Sequence, residues 1–448
     1  MTERPDAAPA EDLAARDWRP GFLVQMLVAG LYVTVIYATR PTVTYRALAL
    51  GASTVEIGLV QSAFSLLPAI LAVAIGRAVD RVGGSRFMIA ATVALMIGGL
   101  VAAYSGGLVI LAVAQIAMGL GHIIYLVAGQ ALVANVGPRD ERELRFGTYA
   151  TVNSIGQLVG PAIAAAILGG GAVLVGAGLV AGAAAIVPGI GRSSAAGLPL
   201  PDNREGIVFL VSAGITLVAV GLTCLLPGLT RRGDRPRTPP AADGPGTVSV
   251  ARRVLRRPGM VSAMFVSIVV ISTLDALVAY LPAYGATAGL SVGLVGALLS
   301  IRAGASLVSR VFMTRLIAQL GRGRLLGFSM AMAAVSLLAL PFIRSDVVLI
   351  ALMAAVGMGL GLVQPMTIAW VANRSPRSER GTALGVRITG NRIALLIVPT
   401  LMGAIAGAAG IAAIFIVMGL SLGVAAAVAL AIGYDAPIDR PDAAPADA

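Results

Sequence analysis

The stretch ANVGPRDER, from Ala134 to Arg142, returns 238 residues later as ANRSPRSER, from Ala372 to Arg380. The two copies stay in register through the apolar segments that follow them, with 12 identities in 28 positions. Matching positions include Gly147 and Gly385, Asn153 and Asn391, and Pro161 and Pro399. A charged loop that recurs at a fixed spacing, together with its apolar neighbour, indicates a duplicated architecture. The sequence therefore predicts two related halves.

The composition predicts that these halves lie in a membrane. Hydrophobic residues make up 58% of the chain and charged residues 12%, whereas soluble domains carry about 25% charged residues. Apolar runs of about 18 residues or more can cross the hydrocarbon core as helices. We therefore expect an all-α membrane protein with twelve transmembrane helices in two pseudo-symmetric six-helix halves. The predicted spans are residues 22–43, 57–75, 87–104, 107–134, 147–168, 206–227, 260–283, 291–313, 325–342, 347–371, 383–408 and 411–433.

The arginines predict the orientation of these spans. All 33 basic residues are arginine, and most of them lie in the even-numbered connections. Cytoplasmic loops of membrane proteins carry such an excess of positive charge. Both termini are therefore expected in the cytoplasm, in a bacterial inner membrane. The net charge of +12 then reflects orientation in the lipid bilayer, and we expect no binding of nucleic acid.

The chain divides at changes of composition. We predict an acidic cytoplasmic tail at 1–20, a first half at 21–228, a cytoplasmic linker at 229–257, a second half at 258–433 and a cytoplasmic tail at 434–448. One segment of the first half, residues 169–203, has no counterpart in the second half. We expect it to be a periplasmic or re-entrant insertion. The alternative is a thirteenth span, which would place the arginine-rich linker on the wrong side of the membrane.

Residues that would support enzymatic chemistry are missing from the sequence. Cys224 is the single cysteine, so the chain forms no internal disulfide and has no cysteine-based metal site. No Walker loop, metal-ligand cluster or nucleophile elbow is present. We expect no enzyme, no metal, no cofactor and no pumping driven by ATP.

The connection between the second and third spans carries a family resemblance. Residues 76–86 read GRAVDRVGGSR, which resembles the signature loop of the major facilitator superfamily. With two related halves of six spans, this resemblance covers nearly the whole chain. It implies that the loop forms a conformational latch on the cytoplasmic side and stabilises an outward-facing state. The implied latch residues are Gly76, Asp80, Arg81, Gly83 and Arg86.

Each latch residue also has a physical reason to be there. Gly76 would let neighbouring helices touch, and Gly83 would permit a tight reversal of the chain. The Asp80 carboxylate can face the positive N-terminal end of another helix. The arginines have an alternative role, which is only to set the orientation. In the second half, Ala318 occupies the position of Asp80, so a single acidic latch residue is expected.

Two further features bear on the direction and the coupling of transport. Gly156, Gly160 and Pro161 on the fifth span resemble the Gly/Pro element of antiporter branches in this superfamily, which favours an exporter. Alternatively, these residues only shape a packed membrane helix. Exporters of the family often carry an arginine on the fourth span four residues before a glycine, where this chain has Gln115 before Gly119, so we do not expect proton coupling through that position.

Aligning the halves shows charges that only the second half has. Asp275, Arg302, Arg387 and Arg392 stand where the first half has Tyr37, Phe64, Tyr149 and Ser154. A charge within a membrane helix is costly and mainly persists where it faces a partner or a wet cavity. We place Asp275, Arg302 and Arg392 at similar depth and expect Asp275 to pair with one of these arginines. A structural ion pair is the alternative to a role toward substrate or protons.

Other polar residues complete the expected substrate and proton pathway. His122 can accept a proton at physiological pH, although an imidazole that packs between helices is the alternative. Arg40 and Arg46 lie near the outer end of the first span, where they could attract an anion or extend to the lipid headgroups, as we expect for Arg46. The expected cavity-lining residues, which could instead hold helices together, are Tyr37, Gln61, Gln130, Asn153, Gln364 and Asn391.

The resemblance and the charges together predict a secondary transporter. We expect it to move a small organic solute by alternating access as a monomer, with protons entering as the solute leaves. Uptake of an organic anion by proton symport is the alternative, favoured by the arginines of the second half. A membrane sensor that does not transport is a more remote alternative.

Overall fold

The computed structural model describes residues 19–136, 141–169, 203–230, 252–375 and 380–431. Nearly all of the predicted insertion at 169–203, most of the linker, and the C-terminal tail lie outside these residues. All but the last two residues of the N-terminal tail lie outside them as well.

Twelve long helices confirm the predicted fold class. Each is long and apolar enough to cross a membrane, and the described ranges contain no strand. Helices suit these apolar sequences because they satisfy every backbone hydrogen bond within the segment. A short helix, Met313–Leu320, lies between the eighth and ninth. The long helices are α1 Arg19–Ala49, α2 Thr54–Val82, α3 Gly84–Ala103, α4 Leu108–Asn135, α5 Arg142–Leu168, α6 Arg204–Leu229, α7 Met260–Ala288, α8 Val292–Val311, α9 Arg322–Ala339, α10 Asp346–Asn373, α11 Arg380–Ala409 and α12 Ala412–Ala431.

The helix ends reproduce the duplication seen in the sequence. Helices α2 to α5 begin 238 residues before α8 to α11, and α4 and α10 also end at equivalent residues, Asn135 and Asn373. Even the turns correspond. Positive φ angles occur at Gly51 and Gly289, with values of 78° and 73°, and at Gly83 and Gly321, with values of 102° and 75°. Glycine suits these turns because it lacks the Cβ that disfavours this conformation.

The chain forms two compact units whose boundaries cut through three helices. The first unit contains Met1–Ala241, Asp275–Gly304 and Leu395–Ile411, and the second contains the remaining residues. Helices α7, α8 and α11 therefore contribute residues to both units. These units differ from the halves predicted at 21–228 and 258–433, which describe the order of the chain.

The contacts of α3 in the first unit recur at α9 in the second. In the first unit α3 packs against α4 and α6, α1 packs against α5 and α6, and α2 packs against α4. In the second unit α9 packs against α10 and α12, which repeats the contacts of α3. Glycines allow the close approach. A Cβ added to Gly98 would lie 2.9 Å from the carbonyl oxygen of Ala114, and one added to Gly359 would lie 2.3 Å from that of Ser329.

Large apolar side chains on the outside of the helices face away from the protein. Val109 and its counterpart Val347 are 78% and 75% exposed, and Phe342 is 74% exposed. Exposed apolar surface of this extent suits contact with hydrocarbon. The chain is thus a multi-pass membrane protein.

Candidate functional site

An ion pair in the first unit joins α1 to α7. The Arg40 Nη1 atom lies 2.7 Å from the Asp275 Oδ1 atom, and each side chain is 11% exposed. One helical turn further along both helices, the Thr44 hydroxyl donates a hydrogen bond of 2.7 Å to the carbonyl oxygen of Ala279. The two contacts lie four residues apart on each helix, so α1 and α7 are held in register here.

Glutamine side chains extend this contact to α2 and α4. Arg40 Nη2 donates to Gln61 Oε1 at 3.4 Å, and Gln61 Nε2 donates to the Thr44 hydroxyl at 2.9 Å. From α4, Gln115 Nε2 donates to Gln61 Oε1 at 3.3 Å. We call Arg40, Thr44, Gln61, Gln115 and Asp275 the Arg40 cluster. It brings a charged pair and two amides from four helices into one polar network.

An aromatic group adjoins the Arg40 cluster. The guanidinium carbon of Arg40 lies 4.6 Å from the centre of the Phe64 ring, a cation–π contact. The Phe64 ring lies 5.4 Å from that of His122, which in turn stacks with Tyr32 and Tyr125 at 6.3 Å. His122 thus packs among aromatic rings in the first unit.

Beyond the Arg40 cluster, α2, α7 and α11 touch through glycine and carbonyl groups. The Tyr280 hydroxyl donates a hydrogen bond of 2.6 Å to the carbonyl oxygen of Pro399. A Cβ added to Gly58 would lie 2.5 Å from that same oxygen, and one added to Gly403 would lie 2.4 Å from the carbonyl oxygen of Thr54. We call Thr54, Gly58, Tyr280, Pro399 and Gly403 the glycine contact. At the glycine contact, the backbones of α2 and α11 therefore lie directly against each other in this conformation.

In the second unit, α11 carries the buried residue Arg387. Its side chain is 6% exposed, and its Nη2 atom donates hydrogen bonds to the Gln364 Oε1 atom at 3.3 Å and the Thr367 hydroxyl at 3.1 Å. One turn along the same face of α11, Asn391 Oδ1 accepts a hydrogen bond of 3.1 Å from the Ser267 hydroxyl. Three of the predicted pathway residues, Gln364, Arg387 and Asn391, therefore belong to one polar region.

The family model described as Major Facilitator Superfamily matches residues 25–318 and 286–448. The chain belongs to this superfamily. Its family and fold point to a secondary transporter.

Solved structures of transporters share the fold of this superfamily member. A bacterial homolog of the human lysosomal transporter Spinster, solved inward-facing and unoccupied, superposes with a TM-score of 0.71 at 15% identity, covering 93% of this chain and 97% of that one. The nucleoside transporter NupG superposes with a TM-score of 0.72 at 12% identity, covering 92% and 100%. Identities this low show similarity of fold alone.

One curated protein resembles part of the sequence. The putative multidrug resistance protein MdtD of Salmonella typhi is 29% identical over 143 residues, which is 32% of this chain. The match spans 29% of the length of that relative.

The loop that resembles the superfamily signature is a tight reversal in the structure. Helix α2 ends at Val82 and α3 begins at Gly84, so Gly83 alone forms the reversal, with a φ of 102°. A Cβ added at Gly76 would meet no described atom within 4 Å, so this glycine makes no close helix contact among the described residues. Arg81 and Arg86 are exposed. The Asp80 side chain lies outside the described part of the structure.

The Gly/Pro element packs α5 against α1. A Cβ added to Gly160 would lie 2.5 Å from the carbonyl oxygen of Thr34, and one added to Gly156 would lie 2.9 Å from the Thr34 nitrogen. The carbonyl oxygen of Pro161 lies 3.0 Å from the Cβ position of Gly296 on α8. Half-buried Tyr37 also lies at this contact, since its backbone carbonyl carbon lies 2.9 Å from the Cβ position of Gly160.

The remaining pathway residues lie in different surroundings. Asn153 accepts a hydrogen bond of 2.8 Å from the Tyr125 hydroxyl. Arg302 is 4% exposed within the first unit, whereas half-buried Arg392 belongs to the second. The sequence suggested a partner for Asp275 on the eighth or eleventh span, but the partner that the structure shows, Arg40, lies on α1.

Some contacts had no signal in the sequence. Arg46 was expected to extend to the headgroups, but its Nε and Nη2 atoms donate to the hydroxyl and carbonyl oxygens of Ser105. The glycine contact was also missed. Small residues at Gly58 and Gly403 could have suggested close helix packing, but not the helices involved.

Proposed function

We propose that this transporter exports a small organic solute in exchange for protons. The observation that carries the proposal is the Arg40–Asp275 ion pair, which lies among half-buried and buried polar groups and ties α1 to α7. A proton on Asp275 would remove the attraction for Arg40 and leave the guanidinium to Gln61. Protonation would therefore destabilise the α1–α7 contact relative to a conformation in which the helices separate.

Two separate features support export as the direction of transport. The matched relative MdtD is described as a putative multidrug resistance protein, and the Gly/Pro element resembles that of antiporters. The packing of Gly156 and Gly160 against α1 also connects this element to the helix that carries Arg40.

Proton-coupled uptake of an organic anion is a second candidate function. The observation that favours it is Arg387, a buried cation whose hydrogen-bond partners, Gln364 and Thr367, are neutral. The two candidates differ in direction, so a flux measurement separates them.

Flux in proteoliposomes tests the proposal. Purified transporter would be reconstituted with an imposed pH gradient, and the movement of a panel of organic cations, neutral compounds and anions would be followed in both directions. We expect solute to move against its gradient toward the acidic side. Movement of solute together with protons would favour symport. Binding without any flux would favour a sensor and overturn the proposal.

An exposed carboxylate provides the matched control. Asp275→Asn should abolish the response to the pH gradient, whereas Asp346→Asn, at the exposed start of α10, should leave it unchanged. An unaltered response in Asp275→Asn would exclude Asp275 from the coupling.

A further inference from the structure

Arg387 is a buried cation, and the described residues of its unit provide no nearby counter-charge. Within the described part of the second unit, Asp346 is the one acidic residue, against thirteen arginines. Asp346 begins α10, and Gln364, the partner of Arg387, lies 18 residues further along that helix, about 27 Å away at about 1.5 Å per residue. Buried charges are normally paired, because their removal from water is costly.

The contacts of Arg387 orient its guanidinium group without neutralising it. Both described hydrogen bonds leave from Nη2, to the Gln364 amide oxygen and the Thr367 hydroxyl. The buried Nε atom has no hydrogen-bond acceptor among the described residues. Other arginines of the same unit contact backbone carbonyls, as Arg310 does at Gly361 and Arg374 at Pro258. Among the described residues, the Nε donor of Arg387 has no acceptor of this kind.

A further donor lies on the same face of α11. Asn391 follows Arg387 by four residues, so the two side chains are neighbours on the helix surface. The Asn391 Oδ1 atom is occupied by the Ser267 hydroxyl at 3.1 Å, which leaves the amide NH2 group to donate. A guanidinium fork with a nearby amide matches a planar oxyanion, because arginine binds carboxylates with paired, charge-assisted hydrogen bonds.

We infer that Arg387 binds an anionic oxygen group of the transported solute, with a carboxylate as the class that it fits best. Gln364 and Thr367 hold the guanidinium in place, and Asn391 donates to the bound anion. The inference rests on the proposed transport function and names its substrate class. Either direction of transport is compatible with it.

Thermal unfolding of the purified full chain tests this site without requiring transport. The probes are benzoate and succinate, each compared with its neutral amide, benzamide and succinamide. Benzoate or succinate should raise the unfolding temperature in a saturable manner, since a ligand that binds only the native state stabilises it. The amides should not. If neither carboxylate raises it more than its own amide does, the inference is overturned.

Substitutions assign the effect to Arg387. Arg387→Gln should weaken carboxylate binding by about tenfold to a hundredfold, the range expected for a charge-assisted hydrogen bond. Because no described acidic residue of its unit lies near this charge, the same variant should unfold at an equal or higher temperature than the wild type when no anion is present. Arg344→Gln, an exposed arginine, is the matched control and should bind as the wild type does. Undiminished carboxylate binding by Arg387→Gln would overturn the inference.

A second variant covers the case in which Arg387→Gln does not fold. Asn391→Asp would place a carboxylate one turn from Arg387, with the same shape as the amide it replaces. This variant should keep its fold and lose carboxylate binding, because the new carboxylate would pair with the Arg387 guanidinium. Retained binding in Asn391→Asp would count against the site.

Flux measurements separate this inference from the proposed function. If neutral or cationic solutes move and Arg387→Gln leaves their flux unchanged, the transport proposal stands and the anion site is wrong. If carboxylates bind through Arg387 but no solute moves, the anion site stands and the transport proposal is wrong.

Discussion

The ion pair between Arg40 and Asp275 is the pair to which we assign proton coupling, and it also joins two helices. Each charge is mostly removed from solvent, with the two side chains 11% exposed, so each depends on the other for compensation. Breaking such a pair leaves one charge stranded, whereas removing both charges does not. If the pair is only structural, removing it should leave the pH dependence of flux unchanged. If it couples protons to transport, removing it should alter that dependence.

The first prediction at this scale is a double-mutant cycle. Asp275→Asn and Arg40→Gln should each lower the free energy of unfolding, on the order of 3 kcal/mol, because one buried charge loses its partner. The double variant should recover part of this loss. Folded yield and pH-dependent flux are the measurements. Additive losses with unaltered pH dependence would show that the pair has neither role.

A second prediction concerns the latch carboxylate. Asp80 is the single acidic residue expected in the two latch loops, because Ala318 occupies the equivalent position. Asp80→Asn should therefore abolish flux while membrane insertion and folded yield remain normal. Flux and the yield of monodisperse protein should be measured on the same preparation, so that loss of transport can be distinguished from loss of folded protein. Transport at the wild-type rate would show that the loop has no such role in this chain.

The sequence predicted the positions of the helices better than it predicted individual contacts. The apolar runs predicted all twelve spans because the hydrocarbon core sets a minimum helix length, and the repeat predicted equivalent helix ends. Positive φ at Gly83 followed from the need for a tight reversal. Partners across the fold were not predictable. Asp275 pairs with Arg40, and Arg46 contacts Ser105, because of how the helices pack against one another. The periodicity of the sequence does not show which helices are neighbours.

The glycine contact leads to a prediction about the helices α2 and α11. Gly58→Ala would place a Cβ 2.5 Å from the carbonyl oxygen of Pro399, so the two helices would have to separate. This should destabilise the present conformation and expose Ser62, which lies 2.9 Å from Thr400 across the same contact. With Cys224→Ser as background, labelling of Ser62→Cys by external maleimide should accelerate severalfold.

A matched glycine controls for the change in helix propensity. Gly221 lies in α6, and a Cβ added there would meet no described atom within 4 Å. Gly221→Ala should therefore leave the labelling of Ser62→Cys unchanged. Equal labelling rates in Gly58→Ala and Gly221→Ala would show that the glycine contact does not hold the conformation.

At the scale of the whole molecule, the orientation of the second half depends on residues 169–203. If this segment stays on one side, α6 returns to the cytoplasm and the arginine-rich linker lies inside. If it spans the membrane, every helix from α6 onward is inverted. The distribution of arginine favours the first arrangement, because cytoplasmic loops accumulate positive charge.

Two cysteine positions on opposite sides of the predicted membrane decide between these arrangements. Thr238 lies in the linker, and exposed Ser291 lies between α7 and α8, a connection predicted to face the periplasm. In the Cys224→Ser background, an impermeant maleimide applied to intact cells should label Ser291→Cys and not Thr238→Cys. Permeabilised cells should label both, which controls for reactivity. A thirteenth span would exchange the two results in intact cells, because it would move the linker outside and Ser291 inside.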